Sequence, residues 1–146
     1  MEKKHIKTAW VSQSHRITKP WGHEIVWSAL AGVGGKILFM TQGHRNSLKL
    51  NALKDECLFV LEGEVECEYG NELTLYDPVW NPLTKQRLEF GEHINIQSGC
   101  PYRITAITDA QIIEIGNSNL DRDIIRIEDD YGRVSKKSKK GKKENE

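Results

Sequence analysis

The side chains best suited to chemistry on their own are three cysteines, Cys57, Cys67 and Cys100. Cysteine metal and redox sites usually pair two thiols in a C-x-x-C spacing, and the sequence has no such pair. A nucleophilic thiol also needs a histidine partner, and none is evident beside any of the three. An odd number of cysteines fits a reducing compartment, so we predict free, buried and inert thiols.

A second candidate is the glycine cluster Gly32, Gly34 and Gly35, because glycine-rich loops can cradle phosphate groups. Such loops follow a strand and open a helix. No segment here has a sustained helical period with caps, so the cluster predicts a hairpin turn instead.

Short alternating apolar runs indicate that strands must position any site. Cys57–Leu61 and Val65–Tyr69 flank Glu62-Gly63-Glu64 and predict a hairpin with glycine at its turn. Tyr76–Leu88 contains two prolines and a tryptophan and predicts a long loop, lying over the barrel mouth or against the outside. Nine or so short strands are typical of a β-barrel or β-sandwich. The other predicted strands are Glu24–Trp27, Lys36–Met40, Ser47–Leu50, Ile94–Gln97, Tyr102–Ile107, Gln111–Ile115 and Ile124–Ile127.

Length and charge indicate one small domain with a distinct tail. A chain of 146 residues fits a single domain. Residues 134–146 hold six lysines and two glutamates, which leaves 15 basic and 19 acidic residues in the body. A nucleic-acid-binding domain would be basic in its body, so we do not expect nucleic acid as a partner. With no apolar run of membrane-spanning length and no signal peptide, we expect a cytoplasmic protein without membrane contact.

Four stretches carry longer and more specific motifs. They are KPWGHE at Lys19–Glu24, GHRNSLKLNALKDECLFVLEG at Gly43–Gly63, INIQSGCPYRI at Ile94–Ile104 and DRDIIRIEDDYGR at Asp121–Arg133. Together they resemble the cupin domain of type II mannose-6-phosphate isomerases and of their stand-alone relatives. The last stretch is the most specific match, to the pattern D-x-x-R-x-E-D-x-Y-G-R.

The resemblance implies an all-β, single-domain cupin, a double-stranded β-helix or jelly-roll barrel, over residues 19–133. An N-terminal arm at 1–18 would precede it, and a disordered lysine-rich tail at 134–146 would follow. In such a barrel, alternate side chains point inward and line one pocket. The resemblance also implies carbohydrate metabolism and a homodimer.

The residues that would hold a metal in these relatives are mostly replaced. The resemblance implies one glutamine, one or two histidines and one glutamate as ligands. Lys49 stands where glutamine is expected, and Asn51, Leu53 and Tyr102 stand at histidine positions. Glu56 alone matches a ligand of the family. A protonated lysine has no lone pair to donate, so we predict no bound metal and no cofactor.

Charged and polar side chains should therefore occupy the altered interior. We expect Lys49 and Glu56 to form a buried ion pair in the space that the metal would use. With Asn51 and Tyr102 they would form either a polar plug satisfied without a ligand or a pocket for a small anionic or sugar-like molecule. The sequence leaves both open.

Four further cations match positive positions of the family. They are Arg45, Lys54, Arg103 and Arg133. We predict that Arg45, Lys54 and Arg103 bind the ligand, because basic side chains, and arginine in particular, suit phosphate. They could equally hold structural ion pairs, and the carboxylates at 128–130 favour that role for Arg133 and Arg126.

Three functions follow from these residues. The preferred one is a mannose-6-phosphate-isomerase-like cupin with a degenerate metal site, acting as a metal-free binding module for a sugar phosphate or another small molecule. The alternative is an active sugar-phosphate isomerase or epimerase of polysaccharide or nucleotide-sugar biosynthesis. Lys49, Glu56 and Tyr102 would then be the catalytic acids and bases. The third is an interaction protein that works through the lysine-rich tail.

Overall fold

The computed structural model describes residues 5–28, 30–118 and 123–134. Those ranges contain eleven strands and no helix, and hence no helix that could cross a membrane. The strands are β1 (His15–Lys19), β2 (Gly22–Val26), β3 (Gly34–Met40), β4 (Leu48–Asn51), β5 (Glu56–Glu62), β6 (Glu64–Tyr69), β7 (Thr84–Glu89), β8 (His93–Ile96), β9 (Tyr102–Ala106), β10 (Ala110–Gly116) and β11 (Ile124–Glu128).

Two antiparallel sheets enclose one core. The first has six strands in the order β1-β2-β3-β10-β5-β8, and the second has five in the order β11-β4-β9-β6-β7. Every second residue of the central strands points inward, which is the period that the sequence predicted. Leu58 and Ile112 of the first sheet share a core cluster with Val65 and Ile104 of the second. The prediction of an all-β, single-domain jelly-roll barrel is confirmed.

The inward face of the six-stranded sheet changes from apolar to charged along its strands. On β3 the buried residues run from Met40 through Leu38 to Lys36. On β10 the residues opposite them include Ile112, across from Leu38, and Glu114, across from Lys36. Aligned registers therefore place charge at one end of the barrel interior and leave the other end apolar.

The predicted hairpin at Gly63 is wrong. β5 pairs with β10 and β8, whereas β6 pairs with β9 and β7 in the other sheet. Gly63 has φ of 80°, and a Cβ atom there would lie 2.2 Å from the Asp109 carbonyl oxygen. Glycine thus permits a sharp corner between the sheets. Two alternating apolar runs around a glycine are typical both of a corner between sheets and of a hairpin, because the local sequence does not show which strand each run pairs with.

Two edge strands were not predicted. β1 lies inside the segment predicted as an N-terminal arm, and β7 occupies the end of the loop predicted at Tyr76–Leu88. Both are largely exposed and polar, so they lack the alternating apolar signal of central strands. The turn predicted at the glycine cluster is confirmed, since β2 and β3 pair as a hairpin with Gly32 at φ of 76° between them. Beyond Val134, the predicted tail lies outside the described residues.

Candidate functional site

The charged end of the barrel contains a narrow pocket between the two sheets, which we call the barrel-end pocket. Its free volume is about 30 Å³, room for roughly two water molecules. It is lined by Lys19, Trp21, Glu24, Lys36, Leu38, Asn46, Ser47, Lys49, Glu56, Tyr102, Glu114, Ile124, Arg126 and Arg133. The predicted residues Lys49, Glu56 and Tyr102 are thus brought together, whereas none of the Tyr76–Leu88 residues lines the pocket.

A buried cluster around Lys54 forms the floor of this region. The Lys54 side chain is 3% exposed, and its Nζ lies 3.1 Å from Glu114 Oε2 and 3.7 Å from Glu56 Oε1. The Tyr102 hydroxyl donates a 2.7 Å hydrogen bond to Glu56 Oε2. Burial, followed by the charge of Glu114, raises the pKa of Glu56, while Lys54, the Tyr102 hydrogen bond and Lys49 oppose the shift. Glu56 is therefore a carboxyl that takes up a proton more readily than an exposed glutamate.

Lys49 occupies the inward position that the sequence predicted. It lies directly opposite Tyr102 on the neighbouring strand, and its Nζ is 5.3 Å from the centroid of the Tyr102 ring. That is a cation–π distance. The sequence predicted an ion pair of Glu56 with Lys49 and did not predict the ion pair of Glu56 with Lys54. Lys54 lies in the link between β4 and β5, where periodicity does not fix the direction of a side chain.

A second ion pair closes the side of the pocket towards β2 and β3. Glu24 Oε1 lies 3.5 Å from Lys36 Nζ and 3.7 Å from Lys19 Nζ. The side chains of Glu24 and Lys36 are about 5% exposed, so water screens this pair little. Glu24, Lys36 and Glu114 were not among the predicted site residues. Lys36 and Glu114 are in phase with the buried Leu38 and Ile112 of their strands, but the opposite phase of these strands is apolar as well, so alternation alone did not mark them.

Asn51 is buried beside the cluster but does not line the pocket. Its Oδ1 accepts hydrogen bonds from the backbone N–H groups of Leu53 and Lys54, at 3.1 and 2.9 Å. These two bonds fix the orientation of the amide. Its Nδ2 is buried without a hydrogen-bond partner among the described residues. A buried donor of this kind favours an acceptor from a ligand or a water molecule.

The other predicted ligand-binding residues serve the C-terminal segment. Arg45 makes a bidentate pair with Asp130, at 2.7 and 2.8 Å. Arg103 is 2% exposed, and its guanidinium donates to the carbonyl oxygens of Asn46 and Glu128. Neither arginine lines the barrel-end pocket. These contacts are structural ion pairs and hydrogen bonds, one of the two roles that the sequence left open for them, and ligand binding by either arginine stays a prediction.

Arg133 does reach the pocket and is held there by a carboxylate, as the sequence predicted. Its guanidinium donates to both oxygens of Asp129, each at 3.0 Å. The three cysteines are free, as predicted, but the prediction that they are buried holds for Cys67 alone, because Cys57 and Cys100 are partly exposed. Burial raises the pKa of the Cys67 thiol to about 12, which leaves it protonated and unreactive at neutral pH.

The donor set does not fit the metal that the fold family implies. Among the residues that the structure describes, no three His, Cys, Asp or Glu side chains form a group that could hold a metal ion. Glu56 is the one residue that the sequence resemblance matched to a metal ligand; Tyr102 donates a hydrogen bond to one of its oxygens, and Lys54 Nζ lies 3.7 Å from the other. An ammonium group at this position repels a cation, so the chemistry of this site is that of ion pairs.

No protein-family model matches the sequence, and no curated protein matches it significantly. Solved structures do match. Capsular polysaccharide assembling protein CapF from Staphylococcus aureus is 14% identical, with a TM-score of 0.65 over 81% of this chain. KdgF from Halomonas sp. is 14% identical, with a TM-score of 0.61 over 75% of this chain. Oxalate decarboxylase from Bacillus subtilis is 12% identical, with a TM-score of 0.67 over 82%.

These structural neighbours are cupins, and the chain has the cupin fold. It spans 35% of the CapF chain and 33% of the oxalate decarboxylase chain, but 91% of KdgF. The resemblance seen in the sequence motifs and the topology of the two sheets therefore agree on the same fold.

Proposed function

We propose that the protein is a metal-free binding module, and that its barrel-end pocket holds the phosphate or carboxylate group of a small carbohydrate-like molecule. The observation that carries this proposal is the charge of the pocket. Arg133 is neutralised by Asp129. Beside it, four other basic side chains line the pocket, Lys19, Lys36, Lys49 and Arg126, and Lys54 lies next to the lining at Glu114.

Several basic side chains that converge on one pocket can donate charge-assisted hydrogen bonds to an anionic group. The buried Nδ2 of Asn51 adds a donor close to the same cluster. Both features favour a ligand that brings acceptor oxygens and negative charge.

The size of the pocket limits what part of a ligand can enter. A free volume of about 30 Å³ is far below the ~300–1,000 Å³ of sites that enclose a small molecule. Only the anionic group would enter, after small shifts of the lysine side chains at the mouth. The carbon skeleton would remain at the opening, near Lys19, whose side chain is 21% exposed.

Titration calorimetry tests the proposal with three ligands: inorganic phosphate, mannose 6-phosphate and mannose. The two anions should bind and mannose should not. Lys49→Gln should weaken binding of phosphate about 10- to 150-fold, because a charge-assisted contact contributes about 1.5–3 kcal/mol. The control is Lys85→Gln, since Lys85 is 64% exposed and lies on an edge strand away from the pocket. Binding of mannose as tight as that of the two anions would show that charge does not govern recognition and would contradict the proposal, and no binding of any ligand would favour the closed polar plug instead.

One observation favours the catalytic alternative. Glu56 combines a pKa raised by burial with a 2.7 Å hydrogen bond from Tyr102, so two groups able to exchange a proton lie in contact. Conversion of mannose 6-phosphate to fructose 6-phosphate by the purified protein, abolished by Glu56→Gln, would support an isomerase. Binding without turnover would leave the binding module as the function.

The remaining expectations are part of the same proposal. A role in carbohydrate metabolism is supported by the name of CapF as a capsular polysaccharide assembling protein. The cytoplasmic location and the homodimer stay predictions.

A further inference from the structure

A tryptophan lies flat against the outside of the six-stranded sheet, at the end where β3 begins. A Cβ atom added at Gly35 would lie 2.6, 2.6 and 2.8 Å from the ring atoms Cε2, Cζ2 and Cδ2 of Trp27. Two of these atoms join the two rings of the indole, so the contact is with a face of Trp27 rather than with its edge. Since Trp27 is 46% exposed, its ring covers the bare backbone of Gly35 and is otherwise open to solvent.

A row of opposed residues beside Trp27 forms the floor of a groove. Gly35 lies opposite Ile115 on β10, and Ile115 lies opposite Cys57 on β5. Cys57 in turn lies opposite Asn95 on the edge strand β8. Because directly opposed residues share one face of a sheet, this row runs across the outside of the barrel. The groove above it has about 560 Å³, within the ~300–1,000 Å³ of small-molecule sites.

A second groove adjoins the first at Trp27. Trp27 and Val33 line both grooves, and Trp10 lines the second, which has about 410 Å³. Trp10 is 58% exposed. We call the two grooves together the tryptophan cleft, because it presents two partly exposed indole rings along one path on the outside of the barrel.

Oriented polar side chains line the first groove. Asn95 Oδ1 accepts a 3.0 Å hydrogen bond from the Cys57 thiol, and Asn117 Oδ1 accepts a 3.2 Å hydrogen bond from the Asp55 backbone N–H. Asp55 Oδ1 accepts a 2.8 Å hydrogen bond from the backbone N–H of Ser98. These bonds use only oxygen atoms of the three side chains. The amide NH₂ groups and the second carboxylate oxygen take no part in them, so the groove offers both donors and an acceptor.

The charge of the cleft excludes an anionic ligand. Among the described residues, no lysine, arginine or histidine lines either groove. Glu56 also borders the first groove, but its carboxylate is turned towards Tyr102 and Lys54 in the barrel. The Asp55 carboxylate therefore sets the charge of the groove, and a phosphate or carboxylate ligand would meet it without a cation to balance the repulsion. A ligand that fits this cleft is uncharged.

We propose that the tryptophan cleft binds an uncharged oligosaccharide whose pyranose rings stack on Trp27 and Trp10. A pyranose ring with equatorial hydroxyl groups carries C–H bonds on its flat faces, and the electron-rich face of an indole attracts these bonds. The hydroxyl groups lie around the edge of the sugar ring, where they can donate to Asp55 and accept from the amides of Asn95 and Asn117. An apolar platform with a few convergent polar groups is the usual composition of a small-molecule site.

The cleft goes beyond the function proposed above, because it differs from the barrel-end pocket in position and in ligand class. The two sites share only Glu56 in their linings, and its carboxylate serves the barrel interior. A single mannose would cover one tryptophan and carries an axial hydroxyl group on one face, so it would bind the cleft much more weakly than an oligosaccharide. Binding of phosphate and binding of oligosaccharide can therefore be lost independently.

Titration calorimetry of the full chain with cellotetraose, a neutral chain of equatorial glucose rings, tests the cleft. The wild-type chain should bind it, and Trp27→Ala should weaken binding about tenfold, because a lost aromatic stacking contact changes an affinity by about that factor. Trp27→Phe keeps an aromatic ring and should lose less. The matched control is Trp80→Ala, since Trp80 is 84% exposed between β6 and β7 and lines neither groove. This control should bind like the wild-type chain.

Two further measurements do not depend on the packing of Trp27 against Gly35. Asn95→Leu removes an amide at the rim and should weaken binding of cellotetraose about three- to tenfold. Saturating cellotetraose should also slow alkylation of Cys57 by iodoacetamide, followed by mass spectrometry, because Cys57 lies in the floor of the groove. The rate at Cys100, which lines neither groove, should stay the same.

Absence of cellotetraose binding to the wild-type chain would overturn the proposal. So would equal affinity in Trp27→Ala and Asn95→Leu chains that keep the native circular dichroism spectrum, since the saccharide would then bind elsewhere. Binding of the uncharged apolar probe N-phenyl-1-naphthylamine without binding of cellotetraose would identify an apolar docking surface and would also overturn it. Calorimetry with phosphate on Trp27→Ala should give the wild-type result, which separates failure of this site from failure of the barrel-end pocket.

Discussion

Replacing Lys54 by methionine tests the buried ion-pair cluster. Methionine keeps the length and the apolar stem of lysine but removes the ammonium that lies 3.1 Å from Glu114 and 3.7 Å from Glu56. Two carboxylates would then share a site without their nearby cation. Removing one partner of a buried pair costs about 3–5 kcal/mol, and we expect Lys54→Met to lower the free energy of unfolding by that amount at neutral pH.

The loss should depend on pH, and the direction follows from Glu56. Its pKa is already raised by burial and by Glu114, and removal of Lys54 raises it further. In that range the folded variant binds more protons than the unfolded chain, so its stability falls as pH rises through the raised pKa. Each pH unit in that range is worth about 1.4 kcal/mol. We therefore expect the loss at about pH 5 to be smaller than the loss at about pH 7.5.

Urea unfolding at these two pH values measures both effects. The control is Lys85→Met, which removes an exposed ion pair of 3.9 Å to Glu68 and should cost about 0–1 kcal/mol at either pH. The double variant Lys54→Met/Glu56→Gln removes one carboxylate with the ammonium and should recover part of the loss. A Lys54→Met loss below about 1 kcal/mol, or one that is the same at both pH values, would refute the reasoning.

Three further predictions concern single groups. Tyr102→Phe removes the 2.7 Å hydrogen bond to Glu56 and should lower the free energy of unfolding in urea by about 1.5–3 kcal/mol; an unchanged midpoint would contradict it. With a pKa of about 12, Cys67 should react with a thiol reagent at mildly alkaline pH only after unfolding, and labelling of all three thiols in the native protein would contradict this. Burial would raise the pKa of Asp129, but hydrogen bonds from Arg133 outweigh it and hold the pKa below the ordinary value of 3.8. The ionised Asp129 therefore stabilises the fold above that value, and this stabilisation is lost as pH falls below it. Asp129→Asn should make the free energy of unfolding depend less on pH in this range. An unchanged pH dependence would contradict the pairing with Arg133.

Much of the fold could be predicted because its signals are local. Alternation over runs such as Lys36–Met40 and Gln111–Ile115 gave strands that the structure contains with slightly wider bounds. The motif at the C-terminal end predicted the ion pair of Arg133. The partner of each strand is not local, so the corner at Gly63 looked like a hairpin.

The site was predicted in part for the same reason. Lys49 and Tyr102 were identified through the motifs of the resemblance and do face one pocket. Lys36 and Glu114 lie opposite each other only because β3 and β10 pair in register. This pairing joins segments that are far apart in the sequence, so no single stretch of sequence predicts it. A charged residue within an apolar strand is normally assigned to the solvent side, and only the three-dimensional register shows that these two face inward.

The most direct measurement is a crystal structure of the protein grown with tungstate, a heavy-atom analogue of phosphate. The central claim is that cations have replaced a metal at the charged end of the barrel. It predicts an anomalous peak for tungstate in the barrel-end pocket, within hydrogen-bond distance of Lys49 and with Lys54 still between Glu56 and Glu114. A metal ion coordinated by Glu56, with the lysines turned out to solvent, would contradict it.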